Sequence, residues 1–171
     1  YRYFVTHETP VLFPFGHGLS YTTFDYANLR VSGDTSAHGL DFEVRVDITN
    51  SGPCAGAEIV QLYVRDVEAS VYRPDRELKA FKKLYLAAGE TATCTLTLDR
   101  RSFAFFEINA DDWVVEPGAF ELLVGASCTD IRQSISIDLT GDTRRNTPQT
   151  EETPYVIMSD SELAARGLHV T

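Results

Sequence analysis

The sequence is poor in the residues that cross-link a protein or give it positive charge. Among its 171 residues there are three cysteines, and the 15 Lys and Arg are outnumbered by 25 Asp and Glu. The resulting net charge of −10 argues against a nucleic-acid partner, because phosphates select clustered Lys and Arg. It argues more weakly against an anionic membrane surface. We therefore expect neither nucleic acid nor a membrane as a partner.

Long apolar runs and a secretion signal are also missing. No stretch of about 18 apolar residues occurs, which predicts that no helix spans a membrane. The chain opens with YRYF, without Met and without the basic-then-apolar pattern of a signal peptide. We interpret this beginning as that of a fragment or a processed chain, so the missing signal says little about the compartment.

The cysteines do not form a recognisable framework. Cys54, Cys94 and Cys128 cannot all pair with one another, and their spacing matches no zinc site. Cys94 lies in an alternating apolar run, which predicts a small core residue. Three free thiols are the prediction, and they slightly favour a reducing, cytoplasmic compartment. With no second His or Cys at ligand spacing, we expect no metal and no cofactor.

What the sequence does contain is a regular series of short strands. Residues 39–50 (GLDFEVRVDITN) alternate apolar and polar side chains, which is typical of a strand with one buried and one wet face. Similar runs occupy residues 57–65, 78–86, 91–99, 103–107, 112–115, 120–125 and 131–139. The pattern predicts an all-β fold: an antiparallel immunoglobulin or fibronectin type III-like β-sandwich of about seven or eight strands over residues 24–139.

The two flanking segments differ from this pattern and from each other. Residues 1–23 are aromatic and rich in turns, and LFPFGHGLSYTTF at 12–24 contains no carboxylate. Residues 140–171 begin as a polar linker. Ser159 and Glu162 then have capping-box spacing, and Gly167 is placed to end a short helical turn.

Several segments together resemble one known domain. In chain order they are LFPFGHGLSYTTF, NLRVS, GAEIVQLYVRD, RPDRELKAFKKLYLAAGETATCTLTLDRR and WVVEPGAFELLVGAS. At this spacing they resemble the C-terminal fibronectin type III-like domain of glycoside hydrolase family 3 enzymes, most of which are β-glucosidases. The resemblance covers about residues 1–139. Ala80 stands where the family pattern leads us to expect a glycine.

The resemblance implies a role for the whole segment. In that family the nucleophile lies in a barrel domain and the acid/base in an α/β sandwich, so this domain would be a non-catalytic scaffold packed against both. Residues 1–4 would end the α/β sandwich and residues 5–23 would bridge to the β-sandwich. The parent enzyme would hydrolyse terminal β-D-glucosyl residues with retention. The tail would be a linker to a following barrel or a terminal strap.

The same resemblance implies that part of the surface is an interdomain interface. An uncovered apolar loop would be an aggregation hazard, so we expect another domain to cover the aromatic segment. His17 is either a wall of the substrate pocket or a loop side chain with a backbone hydrogen bond. The loop at 70–77 is either a solvated hairpin loop or a salt-bridged dock. The predicted interface residues are Phe13, Pro14, Phe15, His17, Tyr21, Arg73, Arg76 and Glu77.

The residues also raise three other possible functions. Asp111-Asp112-Trp113 resembles the context of the family nucleophile, but it falls in a predicted hairpin and we expect a solvated turn. Tyr63, Tyr85 and Trp113 would have to share one face to form an autonomous sugar-binding module. A protein-interaction sandwich is the third alternative. Catalytic residues are expected in other domains, not in this segment.

Overall fold

A computed structural model describes residues 1–36, 39–108 and 110–142 of the chain. The predicted linker and capped turn after residue 142 lie outside the described residues. Within them are a short helix, a 3₁₀ turn at Arg100–Ser102 and nine strands. The elements are α1 (Arg2–Thr6), β1 (Phe24–Gly33), β2 (Phe42–Asn50), β3 (Gly56–Asp66), β4 (Glu77–Leu86), β5 (Thr91–Leu98), β6 (Phe105–Glu107), β7 (Asp112–Val114), β8 (Gly118–Gly125) and β9 (Ile131–Leu139).

The strands form two facing sheets and one small hairpin. One sheet has the order β1-β2-β5, the other has the order β4-β3-β8-β9, and β6 pairs only with β7. All described pairings are antiparallel. The predicted fibronectin type III-like sandwich is therefore confirmed, with nine strands in the described residues because β1 joins the eight runs that the alternation predicted.

The core lies between the two sheets. Val44, Val46 and Ile48 of β2 face Val60 and Leu62 of β3, and none of these side chains is exposed to solvent. Aromatic rings close one end of this core, where Phe103 contacts Phe42 and Phe120 edge to face. Cys94 is completely buried in the same cluster, as the alternation predicted.

The three-stranded sheet turns a polar face to solvent. Along β5 the odd-numbered threonines point away from the core, as expected for branched side chains on the wet face of a strand. Asp47 accepts hydrogen bonds there from Thr93, Arg30 and Asn28. These three donors lower the pKa of the Asp47 carboxyl to about 2. The network therefore stays ionised at all ordinary pH values.

The middle of the four-stranded sheet, in contrast, is covered on both faces. Residues 60–64 of β3 are buried without interruption, although their side chains alternate between the two faces. The inward side chains join the main core. On the outward face Tyr63, Leu123 and Cys128 form a second apolar cluster, against which Tyr1 and Val5 pack. The N-terminal segment thus covers a sheet face that would otherwise meet solvent.

The segment itself differs from the sequence-based expectation in one respect. It was predicted to be irregular, and it contains one helical turn, α1. No side-chain hydrogen bond caps the N-terminus of α1, and none of its residues is fully buried. A five-residue helix without caps is marginal alone, so its contacts with the sheet hold it in place. No helix in the described part of the chain is long and apolar enough to cross a membrane.

A buried amide ties this segment to both sheets. Asn50, fully buried at the end of β2, accepts hydrogen bonds from the Thr22 hydroxyl (2.6 Å) and from the Gly52 backbone N–H (3.1 Å). Its Nδ2 donates to the carbonyl oxygens of Cys54 and Leu86. One side chain thereby satisfies four polar groups that come from three different parts of the chain.

We predict that Asn50→Ala lowers the free energy of unfolding by about 3 kcal/mol, because it leaves several buried polar groups unpaired. Urea unfolding followed by circular dichroism measures this change. Gln133→Ala is the matched control, since the Gln133 amide makes one hydrogen bond, to the Tyr26 carbonyl. Its cost should stay within about 1 kcal/mol. Equal costs for the two variants would contradict the role given to Asn50.

Candidate docking surface

The N-terminal segment is fixed to the four-stranded sheet through Tyr1 and Thr6. The Tyr1 ring stacks on Phe15 with 4.4 Å between ring centroids and meets Tyr63 edge to face. The Tyr1 hydroxyl accepts a hydrogen bond from the Leu78 N–H at 2.8 Å. Thr6 Oγ1 accepts one from the Asp75 N–H at 2.8 Å. The segment is therefore anchored to β4 and to the loop that precedes it.

Gln61 makes the second attachment. Its Nε2 donates to the carbonyl oxygens of Gly16 and Ala126, and its Oε1 accepts from the Tyr63 hydroxyl. Gly16 has a φ of +84°, and a Cβ at this position would overlap the Gln61 side chain. Glycine is required here both by the backbone conformation and by the close approach to Gln61.

Although the segment is well anchored, it presents apolar side chains to solvent. Leu12 is 88% exposed, Leu19 94% and Tyr21 98%, which is unusual for large apolar residues that neighbour one another in the chain. We call the whole set the N-terminal face. It comprises the side chains of Tyr3, Phe4, Val11, Leu12, Phe13, Phe15, Leu19 and Tyr21.

A groove of about 740 Å³ opens within this face. Its walls come from α1, from residues 8–15 and from the loop before β4. Most of the lining is aromatic or aliphatic, and Arg76 and Asp75 supply charge at one side. Such a groove, apolar with a few polar groups, is suited to receiving side chains of another polypeptide.

The predicted interface residues do not form a single cluster. Phe13, Pro14, Phe15 and Arg76 line the groove together, and the His17 ring stacks on Phe13. Tyr21 is on the N-terminal face but does not line the groove. The side chains of Arg73 and Glu77 are largely buried inside the domain.

Arg73 is the centre of an internal ion-pair network. Its side chain is 8% exposed, and it pairs with Asp66 at 2.9 Å and donates to the Phe103 carbonyl at 3.0 Å. Glu77 lies 3.6 Å from Arg73 and also pairs with Arg2 and Lys79. The loop before β4 is therefore held by charged contacts within its own domain.

The two carboxyls of this network respond to it in opposite directions. Burial raises the pKa of Asp66 even though Arg73 lies beside it. Burial alone would also raise the pKa of Glu77, but Lys79, Arg2 and Arg73 together outweigh it and lower that pKa. Arg73 is thus the cation on which the buried Asp66 carboxylate depends.

Arg76 lies at the boundary between the network and the groove. Its Nε donates to Asp75 at 2.7 Å, and its Nη1 donates to the Cys128 carbonyl at 3.1 Å. Asp75 also pairs with Arg65 at 3.3 Å. Arg76 therefore carries positive charge into the wall of a groove that is also lined by the carboxylates of Glu8 and Asp75.

The candidate residues for sugar binding and for catalysis lie in separate parts of the domain. Tyr63 is completely buried, Tyr85 is exposed on β4, and the Arg101 guanidinium lies over the Trp113 ring. They do not form one sugar-stacking platform. Asp112 begins β7 of the small hairpin, and its Oδ1 accepts a hydrogen bond from the Trp113 N–H.

Sequence reasoning missed the anchors beneath the N-terminal face. The YRYF cluster gives no sign of the separate role of Tyr1, and Gln61 is not among the predicted interface residues. Gln61 did carry a signal, because it is the one polar side chain within the apolar run from Ile59 to Val64. A buried polar residue requires hydrogen-bond partners, and one partner of Gln61 is the Gly16 carbonyl of the segment that covers it.

Comparison with known proteins places this architecture in a family. A fibronectin type III-like domain profile matches residues 58–128. Thermostable β-glucosidase B of Acetivibrio thermocellus is 44% identical over 96% of the chain, which spans 22% of that enzyme. A crystal structure of the GH3 β-glucosidase of Bifidobacterium adolescentis superposes with a TM-score of 0.80 and 37% identity, over 95% of this chain and 23% of that one.

This chain is a fibronectin type III-like domain of the glycoside hydrolase family 3 type. The resemblance stated from its sequence motifs is thereby confirmed. The domain spans about a fifth of the length of the curated relatives that it matches. One of these is an exo-α-(1→6)-L-arabinopyranosidase of Bifidobacterium breve, 40% identical over 91% of the chain and 20% of that enzyme. The domain type therefore accompanies more than one sugar specificity.

We predict that Arg73→Met destabilises the fibronectin type III-like domain by about 3 kcal/mol, because it strands the buried Asp66 carboxylate. Arg45→Met is the matched control, since the Arg45–Glu43 pair is largely exposed on the three-stranded sheet. The control should cost less than about 1 kcal/mol. Urea unfolding at neutral pH measures both, and an Arg73 cost as small as the control would refute a buried, structural pair.

Proposed function

We propose that this domain is the non-catalytic scaffold of a β-glucosidase-type enzyme and docks on its catalytic domains through the N-terminal face. The parent enzyme, on this proposal, hydrolyses terminal non-reducing β-D-glucosyl residues with retention. Its barrel and α/β-sandwich domains would be the partners of the face, and the substrate would be reached only through them.

The observation that carries the proposal is the contrast between anchoring and exposure in residues 1–23. The segment is held by hydrogen bonds from Tyr1 to Leu78, from Gly16 to Gln61 and from Thr22 to Asn50, so its geometry is fixed. Its large side chains nevertheless point to solvent. A rigid apolar surface of this extent is suited to a permanent interface rather than to a free surface.

The asymmetry of the sandwich supports the same orientation. The outward face of the three-stranded sheet carries charged and hydroxyl side chains, such as Arg45, Asp47 and Thr93. The apolar surface lies on the opposite side, over the four-stranded sheet. The domain therefore has one side suited to water and one suited to a protein partner.

The charged groups of the domain are engaged in structural roles rather than arranged for glycoside hydrolysis. A retaining glycosidase needs two carboxyl groups about 5 Å apart on either side of a sugar. Asp66, Asp75 and Glu77 are each paired with arginine within the domain. This supports the assignment of catalysis to other domains of the parent.

We predict that the isolated 171-residue chain hydrolyses no aryl β-D-glucoside, whereas the full-length protein does. Release of p-nitrophenol measures both, and other aryl glycosides extend the test to related sugars. Activity of the isolated chain would overturn the scaffold assignment. Calorimetric titration with soluble β-glucans completes the test, because measurable affinity of the chain alone would indicate a sugar-binding module instead.

We further predict that Phe13→Ser with Leu19→Ser acts only in the full-length protein. Both side chains are mostly exposed in the domain, so the isolated chain should keep its melting temperature to within about 1 °C. In the full-length protein the same change should lower the melting temperature by about 4 °C, because apolar contact is lost.

Arg45→Ser, on the polar face, is the control and should change neither protein. Equal melting temperatures of the full-length protein with and without the Phe13 and Leu19 substitutions would show that the N-terminal face docks on nothing.

A further inference from the structure

A second apolar surface lies on β4, away from the groove. β4 is an edge strand, and its register with β3 places Phe81, Lys83 and Tyr85 opposite Gln61, Ile59 and Ala57. Alternate residues of a strand share a face, so Phe81, Lys83 and Tyr85 form one row. Phe81 is 67% exposed, Tyr85 73% and Ile59 46%. We call Ile59, Phe81, Lys83 and Tyr85 the β4 strip.

All the lysines of the chain lie on β4. Its sequence contains only three lysines, Lys79, Lys82 and Lys83, and all three lie on β4. Lys79 pairs with Glu77. Among residues 1–36, 39–108 and 110–142, neither Lys82 nor Lys83 forms an ion pair. In a chain with a net charge of −10, β4 is thus a basic and aromatic edge, with Lys83 in the strip and Lys82 on the opposite face of the strand.

These lysines make binding of a second copy of the chain unfavourable and binding of an acidic segment favourable. Lysines on an edge strand oppose pairing with a second copy, because equal charges would face each other across the new sheet. Exposed aromatic rings beside unpaired ammonium groups instead suit a segment that carries both apolar side chains and carboxylates. The charge of the strip therefore points to an acidic, apolar partner.

The chain itself contains such a segment. Residues 151–162 read EETPYVIMSDSE, in which four carboxylates flank the apolar run Tyr155–Met158 and no basic residue intervenes. Outside this segment, the residues after Asp142 contain no Asp or Glu, and their charged side chains are Arg144, Arg145 and Arg166. The acidic and apolar pattern of 151–162 matches the basic and aromatic pattern of the strip.

The connection is long enough to reach. Asp142 is held beside Val115, where its N–H donates to the Val115 carbonyl, at the end of the sandwich where β9 finishes. β4 lies three strands away from β9, and Lys83 lies six residues from the start of β4, so the strip is about 25 Å away. Residues 143–153 can span about 36 Å when extended.

We propose that residues 151–162 bind the β4 strip, with the Tyr155–Met158 run on Phe81 and Tyr85 and the flanking carboxylates near Lys83 and, around the edge of the strand, Lys82. The tail is then a strap across the edge of the four-stranded sheet. It covers the second apolar surface and blocks the open edge of β4. This interaction is independent of any docking through the N-terminal face.

Zero-length carbodiimide cross-linking of the full-length protein tests this proposal, because the reagent joins an amine to a carboxylate in direct contact. Mass spectrometry should identify peptides that link Lys82 or Lys83 to Glu151, Glu152, Asp160 or Glu162. An equal mixture of ¹⁴N- and ¹⁵N-labelled protein distinguishes links within one chain from links between copies. Links between copies alone would show that a second molecule, not the tail, occupies the strip.

Two variants separate docking from chance encounters of opposite charges. Phe81→Ser with Tyr85→Ser removes the exposed rings and keeps every lysine and carboxylate, so the tail links should fall about tenfold. Tyr21→Ser is the matched control, because it removes an equally exposed ring from the N-terminal face and should leave the links unchanged. Links that persist in the double variant, or links to other segments only, overturn the proposal.

Discussion

The structure depends on one requirement, which is that the middle of the four-stranded sheet must be covered on both faces. The facing sheet covers one side, and residues 1–23 cover the other. Tyr63 and Leu123 lie on that second side, where solvent would meet them if the segment were absent. The helix α1, the stacking of Tyr1 on Phe15 and the attachment of Gly16 to Gln61 all serve this cover. The exposed N-terminal face is its outer surface.

Buried polar groups give the cover its exact position. Apolar packing alone is not directional, whereas Gln61 and Asn50 each require specific partners once they are buried. Their partners include the Gly16 carbonyl and the Thr22 hydroxyl of the segment that crosses them. The buried pair of Arg73 and Asp66 does the same for the loop before β4. Such pairs fix geometry more than they add stability.

The sandwich could be predicted from the sequence because several strands have a clear alternation of apolar and polar residues. The residues 39–50 and 91–99 show this best, since their outward faces meet water. The N-terminal segment could be predicted as apolar but not as a cover with a helical turn, because α1 lacks caps and periodicity. The direction in which the Arg73 side chain points could not be predicted either. A charged residue in a loop gives no sign of whether its side chain faces a partner or its own domain.

The placement of the cover also has a consequence for how the chain folds. Tyr1 finds its hydrogen-bond partner at Leu78, and Gly16 finds its partner at Gln61, so the segment can be seated only after β3 and β4 have paired. Contacts between residues so far apart in the chain form slowly, because a long loop must close first. The segment leaves the ribosome before the strands that it covers. The segment therefore cannot pack on the sheet until β3 and β4 have paired.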